Sequence, residues 1–190
     1  MDTEKKLGIK KSKAILLFMQ MILIIILLAT SIYLLAFVIK YNLGAWMLTS
    51  YIFITISVLA IIAYAVVGYK KGDIIYQISI IPFLVAIFVN ILLPNRNAFQ
   101  VAVLVILFTL TFAFLLRQKD QRFSNIIALL MVISSLTFSI YSSITADTQF
   151  LGSITTKWTT YAAMYLSIFI PVVMSGTIAL TYNVRKSKGQ

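Results

Sequence analysis

The chain has 190 residues, 61% of them hydrophobic, with 16 Lys and Arg against 5 Asp and Glu for a formal net charge of +11. Only 11% of residues are charged, under half the roughly 25% of soluble domains, which excludes a water-soluble globular fold whose apolar surface would face solvent. No Cys and no His occur, so disulfides, thiolate or imidazole metal ligands and Ser-His or Cys-His nucleophiles are excluded as well.

Six stretches carry no charge: 14–39, 41–69, 74–95, 97–116, 123–146 and 158–184. A helix needs about 20 apolar residues to cross a bilayer. The sequence therefore predicts an all-α, polytopic membrane protein with six transmembrane helices in one bundle, residues 1–190 forming a single integral membrane domain.

The first span is expected at 14–39, where Gln20, Thr30 and Ser31 interrupt an aliphatic run. Its basic start resembles a signal peptide, but the run is too long for a cleaved apolar region, so it reads as an uncleaved span. Tyr41-Asn42-Leu43-Gly44 makes a turn into the second span, 45–69, whose Trp46 and Tyr69 mark the headgroup level. Lys70-Lys71-Gly72-Asp73 is a tight turn. The third span, 74–94, holds Gln77, Pro82 and Asn90. After Pro94-Asn95-Arg96-Asn97 comes the fourth, 98–116, and after a segment around Lys119-Asp120 the fifth, 124–145. The longest loop, about 146–157, precedes the sixth span, 158–182, with Pro171 and Gly176 inside it.

The positive charges sort by side. Thirteen Lys and Arg fall in the N-tail, the second and fourth loops and the C-tail, while Lys40, Arg96 and Lys157 fall on the other side. Short loops rich in Lys and Arg stay cytoplasmic. Both termini are therefore expected inside a cell (plasma) membrane. The same segregation accounts for the net charge without nucleic acid. Lys outnumbers Arg twelve to four and Ile is abundant, as in AT-rich bacterial genomes.

The fifth span is the most patterned. Ser135, Ser139 and Ser143 recur every four residues beside Ser142, and small residues at that spacing let another backbone approach closely. They read as a helix–helix seam, a hydroxyl-lined solute path or a homodimer face. The sixth span has a similar row: Ala163, Ser167, Pro171, Ser175 and Ala179. Pro171 and Pro82 each remove a backbone hydrogen bond. Paired Pro-interrupted helices in matching positions of two three-helix halves also mark transporter midplane sites, although the halves share no clear sequence similarity. Asn90 and Gln20 are the deepest amides and read as interhelical glue.

The charge-free spans leave no ionisable group for proton coupling. The five acids, Asp2, Glu4, Asp73, Asp120 and Asp147, lie in tails or at helix ends, so neither a metal site nor a carboxylate pair is expected. No cofactor is implied, and the chain does not read as an enzyme. The sequence reading is a non-enzymatic membrane protein that acts by helix packing with a membrane-protein partner or a second copy, such as an accessory subunit of a transport or secretion assembly or an immunity-type protein. The alternative is a small carrier or channel for an uncharged or lipophilic solute. The expected topology is checked by reporter fusions. A fusion at Lys71 should report the cytoplasm and one at Gly152 the opposite side, and an external signal at Lys71 would overturn the orientation.

Overall fold

The computed structural model describes residues 2–67, 73–94, 96–118, 120–145 and 158–188. The turn at Lys70-Lys71, Lys119 and the 146–157 loop lie outside the described residues. Six helices follow one another: α1 (Asp2–Tyr41), α2 (Ala45–Val67), α3 (Asp73–Ile91), α4 (Ala98–Leu116), α5 (Gln121–Thr145) and α6 (Trp158–Lys188). Five are long and apolar enough to cross a membrane, and α3 contributes a shorter apolar stretch, Tyr76–Ile91. Large apolar side chains such as Phe18, Ile25, Val66, Leu116 and Ile144 point outward. They would face acyl chains in a bilayer.

Helix ends follow local chemistry. The last turn of α1 closes with Asn42 at φ 48°. Asn42 N–H donates to the Ile39 carbonyl and Leu43 N–H to the Val38 carbonyl, the bonding of a Schellman cap, in which Asn substitutes for Gly in the left-handed position. Gly44, at φ 103°, supplies a conformation that a side chain would strain and starts α2. Helix α4 begins with a capping box: Gln100 N–H donates to Asn97 Oδ1 at 2.9 Å, and Asn97 N–H to Gln100 Oε1 at 3.2 Å.

Several boundaries differ from the sequence reading. Helix α3 stops at Ile91, three residues before the expected 94, because the residue ahead of Pro94 is pushed out of helical geometry. Helix α5 starts at Gln121, three residues before 124, because the Asp120 carboxylate accepts from Phe123 N–H and satisfies an orphan donor of the first turn. Helices α1 and α6 run past their apolar spans into the basic tails. At 1.5 Å per residue, α1 is about 60 Å long, twice the hydrocarbon thickness.

The helices form a ring in chain order. Each packs on the next, and α6 closes on α1. Gln20 of α1 donates to Thr181 Oγ1 of α6 at 3.0 Å, which joins the first and last helices antiparallel and puts both termini at one end. At that end the ring is filled. Tyr76 O–H of α3 donates across the ring to the Ile178 carbonyl of α6 at 2.7 Å. Tyr182 O–H of α6 donates to the Gln118 carbonyl at 3.1 Å, and its ring stands edge-on to Phe114 at 5.3 Å. Tyr64 packs on Tyr76 at 5.5 Å. All four aromatic side chains are fully buried. The Tyr76 and Tyr182 hydroxyls are set against backbone carbonyls, and all four rings lie in the aliphatic core. Tyr76→Phe should lower stability by about 1 kcal/mol, read as a lower unfolding midpoint in nanodiscs. An unchanged midpoint would mean that the cross-ring bond holds nothing.

Candidate functional site

The opposite end of the ring is hollow. A cavity of about 320 Å³ opens there, lined by the ends of α2, α3, α5 and α6 and by the α3–α4 turn. This volume falls within the range of about 300–1,000 Å³ typical of small-molecule sites. A recess of about 30 Å³ continues downward. Its walls share Tyr51, Asn90, Arg96, Phe138 and Ser167 with the cavity, and Phe83, Leu104 and Pro171 lie deeper. Phe83 sits eight residues below the end of α3, about 12 Å down the helix. The aromatic plug lies below that.

The polar part of the lining is tightly bonded. The Asn90 amide donates to Ser50 Oγ at 2.6 Å and to the Ala86 carbonyl at 2.9 Å. Asn90 Oδ1 accepts from Arg96 Nη2 at 3.1 Å. Asn90 thus ties α2, α3 and the α3–α4 turn together. Gln100 donates to Ser142 Oγ at 3.0 Å, and Asn97 Nδ2 to Tyr141 Oη at 3.2 Å, fastening α4 to α5. The lining also includes the apolar side chains Trp46, Met47, Phe138, Met164 and Ile168.

Arg96 sets the electrostatics. Its guanidinium lies 5.3 Å from the Phe138 ring centroid, a cation–π contact. Burial lowers its pKa from the ordinary value and the nearby Tyr51 hydroxyl acts the other way; an Arg shifted downward from so high a value keeps its charge. Nε is buried with no hydrogen-bond acceptor. No carboxylate lines the cavity among the described residues. The N-termini of α2 and α4 add positive potential, since neither first turn holds an acid.

The structure distributes the residues singled out from the sequence. Asn90, Ser167 and Pro171 meet at the cavity and its recess. Ser139 is buried between helices, its hydroxyl donating to the Ile168 carbonyl of α6 at 2.7 Å. Ser135 and Ser143 donate within α5, to the Val132 and Ser139 carbonyls. Ser175 is buried with its hydroxyl unpartnered. Pro82 is half-buried and lines neither the cavity nor the recess. Both prolines lie inside unbroken helices. Sequence reasoning passed over Ser50, and took Gln100 as a helix-end amide rather than as part of a site. Arg96 had been read as a topology charge, yet the crowding of Asn90, Asn95, Arg96, Asn97 and Gln100 into eleven residues was the available signal. Among the described residues no three His, Cys, Asp or Glu side chains converge.

No protein-family model, curated protein or solved structure matches the chain.

Because the chain has no Cys, the cavity can be mapped with a charged, water-soluble thiol reagent. Cysteines at Thr145 and Ser167 should react, and cysteines at Ser135 and Ser175 should stay protected. Equal reactivity at Ser175 and Ser167 would contradict a cavity closed at its base.

Proposed function

We propose that this is a solute-binding, multi-pass protein of a cell membrane, with six spans and both termini in the cytoplasm. It captures a small molecule from the non-cytoplasmic side, as a carrier or as the capture subunit of a transport assembly, and it is not an enzyme. The observation that carries this reading is the single-ended cavity. It is lined by both polar and apolar side chains, open away from the termini and closed below by aromatic side chains. A pore would need an opening at both ends, so the plug favours a binder over a channel. The orientation rests on the segregation of Lys and Arg toward the tail-bearing end.

Action through helix packing alone is the competing proposal. In the small-residue row of α5, Ser135 and Ser139 are buried inside the bundle and Ser143 is half-buried, which favours a seam within the bundle over a partner-facing surface. A count of six spans relies on α3, whose Tyr76–Ile91 stretch covers about 24 Å of helix. The adjoining Leu92, Leu93 and the turn residues make up the remaining depth.

Filling the cavity separates the two readings. Wild-type protein purified from its membrane should carry a bound small molecule detectable by native mass spectrometry. Ser167→Trp, folded and monodisperse, should carry none. A saturating ligand at about 100 times its Kd adds near 2.7 kcal/mol of stability, so wild type alone should also unfold several degrees higher when that molecule is added. Identical masses and midpoints in both proteins would favour packing alone.

A further inference from the structure

Among the described residues the cavity lining holds one cation, and that cation is incompletely used. Arg96 carries five N–H donors in a planar fork. One is engaged with Asn90 Oδ1, and the buried Nε has no acceptor. A buried guanidinium donor left without a partner is costly, and a planar fork is suited to the two oxygens of a carboxylate or phosphate. Three further features favour the same charge. Arg96 directly precedes the Asn97 cap of the 19-residue α4, whose first turn holds no acid. The α2 N-terminus reaches the cavity through Gly44 and Trp46, again with no acid in its first turn. The lining has no carboxylate among the described residues.

The apolar part of the lining sets the other half of the ligand. Trp46, Met47 and Met164 line the cavity together with the amides. Methionine adapts to irregular apolar shapes, and a tryptophan offers a broad face. A bare inorganic ion would leave this wall unfilled.

The geometry points to an amphipathic oxyanion as the ligand: a carboxylate or phosphate held by the Arg96 fork, on an apolar body lying against Trp46, Met47 and Met164. This rests on the solute-binding reading above and narrows its sequence-based version, an uncharged or lipophilic solute, to a lipophilic body with an anionic head. The same head-and-tail chemistry occurs in a free organic acid and in an anionic lipid of the outer leaflet.

Trp46 is a reporter inside the site. In a Trp158→Phe background it is the remaining tryptophan, and bromine quenches its emission on contact. The full chain in phosphatidylcholine nanodiscs is titrated with ω-bromooctanoate and with ω-bromooctanol, which match in body and differ in charge. Arg96→Gln should raise the half-quenching concentration of the acid by about tenfold or more and leave that of the alcohol almost unchanged. Arg96→Lys, which keeps charge and loses the fork, should fall between. Nanodiscs containing phosphatidylglycerol brominated on its acyl chains form the lipid arm. Quenching there that depends on Arg96 assigns the source to lipid, and its absence alongside Arg96-dependent quenching by the acid assigns it to a free anion. Acid quenching that is the same in wild type and Arg96→Gln overturns the oxyanion while the cavity still binds. Equal loss of acid and alcohol makes Arg96 a structural residue and overturns it as well. If neither probe quenches wild type in an Arg96- or Ser167-sensitive way, both this inference and the solute-binding reading fail.

Discussion

The hydrogen bond from Tyr76 to the Ile178 carbonyl crosses the helix ring at its tail-bearing end, and the asymmetry of the molecule follows from that position. Between apolar helices in lipid there is little hydrophobic drive, because acyl chains solvate Leu and Ile as well as another helix does. Close packing and buried hydrogen bonds must hold the ring. Here they are divided unequally. At the tail end they run across the ring, from α3 to α6 and from α6 to the end of α4, and draw the diagonals together. At the other end Asn90, Gln100 and Asn97 bond mainly between neighbours. Neighbour bonds strengthen the wall without filling the centre. The same number of helices therefore gives a solid base and a hollow mouth.

What was legible in the sequence was whatever depends on one helix at a time. Length and charge-free runs locate all six helices, and α4 falls on the expected residues because the Asn97–Gln100 capping box and Arg117 bound it sharply. The end of α3 and the start of α5 shifted by three residues each, through the reach of Pro94 and Asp120. Both signals were present and were outweighed by the continuity of the apolar run. The cavity was not legible, because it is a property of the ring. Nothing in residues 45–51 alone says that Trp46 and Ser50 will face Met164 and Ser167, more than a hundred residues on.

The serine rows show the same limit from the other direction. Repeats of Ser at four-residue spacing suggested one function for the whole row. In the fold each hydroxyl answers to its own depth. Ser139 bridges α5 to α6, Ser135 and Ser143 return to carbonyls of their own helix, and Ser142 receives Gln100 at the cavity wall. Back-bonding to the preceding turn is the default for a helical serine with no better acceptor. Spacing alone cannot say which hydroxyl has one. Asn90 was read as glue, and it does bond across helices, but its partners include the cavity cation.

The charge-free spans and the one cation among the described residues of the lining also constrain how any ligand can act. No carboxylate or histidine lies along the spans to couple movement to protons. A ligand at Arg96 shifts a conformational equilibrium only by the difference in its affinity for the two states. Bound at the mouth, it stabilises the state in which the mouth is formed and gives no direct help in opening the base. Releasing the base breaks the Tyr76 and Tyr182 bonds, each worth about 1 kcal/mol net, and separates Phe114 from Tyr182, worth roughly another 0.5–1.5 kcal/mol beyond area. A carrier must recover that cost by contacts made after the ligand descends past Pro171 and Phe83. A capture subunit leaves the work to a partner acting on the tail-bearing end, where α1 and α6 extend beyond the apolar spans. The position of Arg96 at the top of the recess, with an apolar floor beneath it, gives a charged head nothing to descend toward, and on that ground capture fits this architecture better than unaided transport.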